Sequence, residues 1–193
     1  MSSKNIEIKA RCVDLEAMRV RVSRLPEVDG VGVDAVGIEK QVDTYFRTAE
    51  SSVEADSGDR DAGRLKLRET SRGVAELIPY LRANRRQARA SLYERIPIPN
   101  PESTKLLLEQ LLGVRCVVVK EREIFLWRGV RIHLDRVEGL GEFVELEGVC
   151  TPELDEVGAR ARVEELLERL QIDPSSFARV SYENLLLEQQ DAP

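Results

Sequence analysis

Cysteine is scarce. The chain has three thiols, Cys12, Cys116 and Cys150, an odd number with no Cys-x-x-Cys pair. That pattern excludes a disulfide framework and a zinc knuckle, and three reduced thiols are expected. Histidine is scarcer still, with His133 alone. Long apolar runs are missing, and no stretch approaches the roughly 20 residues of a membrane-spanning helix. The opening MSSKNIEIKAR turns charged within a few residues and lacks the apolar core of a secretory signal. The expected location is therefore the cytoplasm, with no membrane partner. Basic side chains number 29 against 35 acidic ones, a net charge of -6, which argues against nucleic acid as the partner. Arg85, Arg86 and Arg89 form a small basic cluster without interleaved aromatics, and it reads as a solvated turn.

What the chain does have is charge in register with strand periodicity. With 193 residues, 42% hydrophobic and 33% charged, it is expected to form one domain over residues 1–193. Asn5 to Val13 alternates as a strand, with Ile6 and Ile8 on one face and Asn5, Glu7, Lys9 and Arg11 on the other. Asp14 is an expected cap for a helix carrying Leu15, Met18, Val22 and Leu25 and ending before Pro26. Gln41 to Thr48 has strand composition, and the polar run from Ala49 to Gly63 reads as a mobile loop. Arg64 to Glu69 is a strand with Arg64, Lys66 and Arg68 on one face, followed by a turn at Arg72-Gly73.

Strands are expected over Val74 to Asn84 and Ala90 to Pro97, and two more within Cys116 to Trp127. Asn100-Pro101 opens a Leu-rich helix that Gly113 closes. Pro152 to Leu170 and Pro174 to Glu188 read as two amphipathic helices. Tyr45, Tyr80 and Trp127 are taken as packing residues.

The stretch Arg131 to Glu147 concentrates the signal. Arg131, His133 and Asp135 share one strand face, Phe143, Glu145 and Glu147 share another, and Gly139 and Gly141 serve the turn between them. Carboxylates about 4 Å apart repel by up to roughly 4 kcal/mol at an effective dielectric near 20, so something cationic is expected among them. At least five strands repeat this one-sided charge. A closed barrel with a charged lumen explains it, and an open sheet with salt-bridged outer faces explains the periodicity equally well. Lys9, Lys66, Arg68, Arg82, Lys120 and Arg122 suit a polyanion, while Glu7, Asp135, Glu145 and Glu147 suit a hard divalent cation.

NIEIK at 5–9, QVDTYF at 41–46, GRLKLRE at 63–69, VKERE at 119–123, HLDRVEGLGEFVELE at 133–147 and SYENLL at 181–186 together resemble the CYTH family. These triphosphate tunnel metalloenzymes include class IV adenylate cyclases and thiamine triphosphatases, and the wording around HLDRVEGLG is most similar to the bacterial cyclase-like branch. The resemblance implies an α+β fold: an eight-stranded antiparallel β-barrel forming a tunnel, with helices packed outside. It implies a small-molecule triphosphate held by Lys9, Lys66, Arg68, Arg82, Lys120 and Arg122, and Mg²⁺ or Mn²⁺ held by Glu7, Asp135, Glu145 and Glu147. Asn5 stands where the family's ExExK motif has its first acid. Arg179, near SYENLL, is a further candidate cation, and His133 receives no catalytic step. Metal-dependent hydrolysis of a triphosphate is the leading expectation. Cyclisation of ATP to cyclic AMP and a non-catalytic binding module are the alternatives. A homodimer is compatible with the sequence, which leaves oligomeric state open.

Overall fold

The computed structural model describes residues 3–26, 34–48, 62–82, 89–178 and 180–190, with backbone alone for 3–4, 62, 80–82 and 89–92. Arg85, Arg86, Arg179 and residues 49–61 of the expected loop lie outside the described residues, as do the side chains of Tyr80, Arg82 and Arg89. In chain order the elements are β1 (Ser3–Arg11), α1 (Leu15–Ser23), β2 (Asp34–Phe46), β3 (Ala62–Thr70), β4 (Ala75–Arg82), β5 (Arg89–Tyr93), β6 (Ile96–Pro97), α2 (Pro101–Leu112), β7 (Val114–Trp127), β8 (Val130–Val137), β9 (Gly141–Val149), α3 (Glu156–Arg169) and α4 (Tyr182–Gln190).

The strand order is β3-β2-β7-β8-β9-β1-β5-β4-β6, and β3 also pairs with β4. All these pairings are antiparallel. Eight strands therefore have a partner on both sides, and the short β6 hangs on β4. The α+β architecture with an eight-stranded antiparallel sheet is the one expected. Side chains alternate across such a sheet, so one strand face looks toward α1 and α3 and the other away from them.

The helix-facing layer is apolar. Ile6 and Ala10 of β1, Ile132 and Leu134 of β8, and Val144 and Leu146 of β9 are buried with α1 and α3. Asp14 caps α1 by accepting from Ala17 N at 2.9 Å, and Leu15, Met18 and Val22 form its buried stripe. Asp155 caps α3 in the same way, and Ala159, Val163 and Leu166 face the sheet. Gly148 lets α3 lie close, since a Cβ there would stand 3.1 Å from the Ala159 carbonyl oxygen. Trp127 is fully buried in this layer, as expected of a packing residue. Each such large side chain contributes on the order of 1.5–3 kcal/mol by leaving water.

On the opposite face a second apolar cluster joins Tyr45, Cys116, Val118, Val137, Leu140 and Phe143 to Tyr182 of α4. These residues continue, two positions along, into Lys120 and Glu145. One end of the strand circuit is thus packed with apolar side chains, and the charged residues lie beyond it.

Two expectations are corrected. Cys116 to Trp127 forms one strand, β7, because the alternation of Cys116, Val118, Lys120 and Arg122 toward the inside runs through without a turn residue. The last segment is not one helix. Pro174–Ser176 is a single 3-10 turn capped by Asp173, Ala178 N then donates to the Lys9 carbonyl at 2.9 Å, Phe177 bridges Ala10, and α4 begins only at Tyr182. Pairing with β1 takes the backbone groups a continuous helix would need. β2 begins at Asp34, ahead of the strand start expected at Gln41. Gly139 and Gly141 turn the β8–β9 hairpin at φ 78° and 94°, a region that favours glycine.

Candidate functional site

Register decides which charges meet. Across β1 and β9, Glu7 stands opposite Glu147 and Lys9 opposite Glu145. Across β8 and β9, Arg131 stands opposite Glu147 and His133 opposite Glu145. Arg122 faces Asp135 across β7 and β8, and Arg68 faces Asp43 across β2 and β3. Five of the six expected anion-binding residues (Lys9, Lys66, Arg68, Lys120 and Arg122) line one cavity of about 480 Å³. Glu7, Glu145 and Glu147 line it too. The sixth cation, Arg82, ends β4, and its side chain is outside the described residues.

The inner part of the site is an ion network. Lys9 Nζ lies 3.0 Å from Glu145 Oε2. Arg122 clamps Asp135 through Nε and Nη2 at 2.7 and 2.6 Å, and its Nη2 also reaches Glu145 at 3.3 Å. The Tyr182 hydroxyl donates to Asp135 Oδ2 at 2.7 Å, and Lys9 Nζ sits 3.7 Å above the Tyr182 ring, a cation–π contact. His133 stands between the two glutamates, with Nδ1 3.1 Å from Glu145 and Nε2 3.8 Å from Glu147. Glu147 accepts from Arg131 at 3.2 Å and from the Asn5 amide.

These contacts outweigh the cost of burial for the carboxylates. Burial pushes Glu145 up, but Lys9 and Arg122 hold it well below the usual carboxylate range. Burial likewise opposes ionisation of Asp135, and Arg122 holds it down. For Glu147, His133 and Arg131 overcome the same penalty. Burial and then the neighbouring Asp135 push the Tyr182 phenol well up, so it stays a donor.

Asp43, like Tyr182, is a site residue that sequence reasoning missed. It is fully buried. Its carboxylate accepts from Arg68 at 2.7 Å twice, from Lys66 at 3.0 Å and from Lys120 at 3.2 Å. Burial would raise Asp43, but Arg68, Lys120 and Lys66 together hold it well below the carboxylate range. The lysines respond the other way. Burial first, and then Arg68, bring Lys66 to about 8 against the pull of Asp43. Burial, partly offset by Asp43, brings Lys120 to about 7. The signal was present: an aspartate between two β-branched neighbours in a strand is disfavoured by propensity and needs partners.

Asp135, expected on a metal, has both oxygens engaged by Arg122 and Tyr182. Among the described residues no three His, Cys, Asp or Glu side chains are gathered to hold an ion by themselves. The donor chemistry of the β1–β9 side still fits a hard cation: Glu7, Glu145 and Glu147 line the cavity, and Asn5 Oδ1 is a buried acceptor with no hydrogen-bond partner.

Among the described residues, the cavity lining counts eight Lys or Arg against four glutamates, in a chain whose net charge is -6. With Asp43 and Asp135 added behind it, the excess remains positive. The arrangement suits an anion of several charges.

Among the described residues, no helix is long and apolar enough to cross a membrane. No curated protein matches the chain. Solved structures do. The PH1012 protein of Pyrococcus horikoshii is 23% identical with a TM-score of 0.75, covering 94% of this chain and 98% of its own. A candidate adenylate cyclase from Vibrio parahaemolyticus is 21% identical with a TM-score of 0.72, covering 97% and 99%. These likenesses concern the fold. The model of the CYTH domain matches residues 3–182, nearly the whole chain and all the cavity-lining residues, and the chain belongs to the CYTH family of triphosphate tunnel proteins.

Proposed function

We propose that the eight-strand circuit works as a closed tunnel and that the chain is a metal-dependent enzyme hydrolysing a triphosphate within it. The observation that carries this is the cationic excess, among the described residues, of one cavity in an acidic chain. Lys66, Arg68, Lys120 and Arg122 grip phosphate oxygens from β3 and β7, and Lys9 from β1, each through charge-assisted hydrogen bonds. Arg82 is proposed with them from the end of β4.

Glu7, Glu145 and Glu147 would hold Mg²⁺ or Mn²⁺, with Asn5 Oδ1 toward the same side. Few protein ligands suffice for Mg²⁺ where substrate phosphates complete its shell, which agrees with acids that are spread along a wall and not gathered. The ion, when bound, would neutralise phosphate charge and make a bound water more acidic. The chain's own part is electrostatic. The lysines and arginines stabilise charge moving onto the leaving phosphate, in a site where burial strengthens every such contact. Asp135 and Tyr182 orient Arg122, and Asp135 joins the metal set only if Arg122 releases it.

Cyclisation of ATP is the second reading, favoured by the rim, where Val36, Ile124, Leu126 and Tyr93 line the same cavity and offer a base an apolar surface. Incubation with inorganic triphosphate, thiamine triphosphate or ATP and either metal distinguishes the readings. Orthophosphate is the product expected. Cyclic AMP with equimolar pyrophosphate would overturn hydrolysis in favour of the cyclase, and binding without any product would leave a binding module.

A further inference from the structure

We propose that Asp43 is a positioning residue for the anion site: a buried carboxylate that stands behind Lys66, Arg68 and Lys120, holds them together and keeps them charged for the ligand. The inference rests on the triphosphate reading for its purpose, and on geometry alone for the link between Asp43 and the three cations.

The three partners line the cavity, and Asp43 is not among the lining residues. It therefore acts through other residues. A single carboxylate holds cations from two strands: Arg68 with both Nε and Nη2, and each lysine through its ammonium. One negative charge among three positive ones leaves an excess of two, so the cluster stays assembled before ligand arrives and still attracts an anion. Without Asp43, three buried like charges would share the space and repel one another.

The charged and titratable groups facing Lys120 are Asp43 from β2, Lys66 and Arg68 from β3, Arg122 from its own strand, Asp135 from β8 and the Tyr182 phenol from α4. Asp135 is committed to Arg122 and Tyr182. Asp43 is thus the group that opposes the other cations, and it is what keeps Lys120 near 7 and Lys66 near 8 instead of lower. The consequence runs against simple charge counting. Removing a carboxylate from an anion site should tighten anion binding. Here it should loosen it, because the lysines lose protons.

The test compares wild type with Asp43→Asn and Asp43→Glu, checked for folding by thermal melts. Without ligand, side-chain NMR of ¹⁵N-lysine follows the titration of Lys66 and Lys120. Both midpoints are expected to fall by about one pH unit or more in D43N and to stay in place in D43E. Unchanged midpoints in D43N would overturn the proposal. Calorimetry with inorganic tripolyphosphate in EDTA is then expected to give at least about tenfold weaker binding for D43N at pH 7.5, largely recovered at pH 6. Equal or tighter binding by D43N at pH 7.5 would also overturn it. If D43N does not fold, D43E decides. With its charge carried one methylene further, it is expected to bind severalfold more weakly at every pH, and wild-type affinity would contradict a positioning role. A wild type that binds no tripolyphosphate at any pH would defeat the triphosphate reading, while the ligand-free lysine titration would still decide whether Asp43 sustains the cations.

Discussion

Arg122 and Asp135 face each other across β7 and β8 and close a two-point ion pair at 2.7 and 2.6 Å, with the Tyr182 hydroxyl as a third contact on the carboxylate. The pair is buried. It joins the sheet to α4 and fixes a guanidinium on the cavity wall. Breaking a buried pair from one side typically costs about 3–5 kcal/mol, because the remaining charge loses its partner. Asp135→Asn is expected to lower unfolding stability by about that amount, and Tyr182→Phe by roughly 1.5–3 kcal/mol, the scale of a hydrogen bond to a charged group. Urea denaturation measures both. Stability within about 0.5 kcal/mol of wild type in D135N would show that the pair does not hold the fold.

The acid side of the cavity has its own expected outcome. Glu147 contacts the partly exposed Arg131 and the Asn5 amide, so Glu147→Gln should leave the fold intact. It is expected to weaken Mn²⁺ binding, read by calorimetry or by electron paramagnetic resonance of the free ion, and to abolish turnover. Wild-type metal titration and activity would remove Glu147 from the metal set.

Acid should unfold this protein in a defined window. Asp43, Asp135, Glu145 and Glu147 are all held below their ordinary values. Groups with depressed folded values contribute stability that is present above the unfolded carboxylate range, near about pH 4, and is lost as the pH falls through the folded values. Denaturation midpoints are expected to be flat from neutral pH to about 5 and to fall steeply below about 4. A midpoint unchanged down to pH 2.5 would contradict the ionised network.

Anion binding should weaken on the alkaline side. Lys120 at about 7 and Lys66 at about 8 are protonated below these values and neutral above them. A triphosphate gains negative charge as the pH rises, so on its own it should bind a fixed cationic site more tightly. The expected result is the reverse, a fall in affinity between pH 6.5 and 9. Lys120→Met should remove the lower step. Affinity that rises with pH in wild type would mean that these lysines do not titrate in the site.

Much of this architecture was legible in the sequence because alternation is a two-residue signal. Glu7 and Lys9, Lys66 and Arg68, Lys120 and Arg122, and Glu145 and Glu147 each sit two apart, and each pair lines the cavity. The helix caps at Asp14 and Asn100 are equally local. What sequence could not supply was pairing across strands. Asp43 looks like one acid in QVDTYF until register sets it opposite Arg68 and within reach of Lys120, which is 77 positions away. For the same reason, nothing local to Asp135 shows that Arg122 and Tyr182 engage both of its oxygens. The break before Tyr182 was hidden too, because it depends on Ala178 pairing with Lys9 and not on the composition of the last helix.

The central claim, that the cavity binds a triphosphate through its cations, is tested most directly by titrating inorganic triphosphate into wild type and Arg68→Ala at pH 7 by calorimetry. One-to-one binding by wild type, weakened in R68A by about 1.5–3 kcal/mol for the lost charge-assisted contacts, is the result predicted. No binding by wild type, or the same affinity in both proteins, would contradict it.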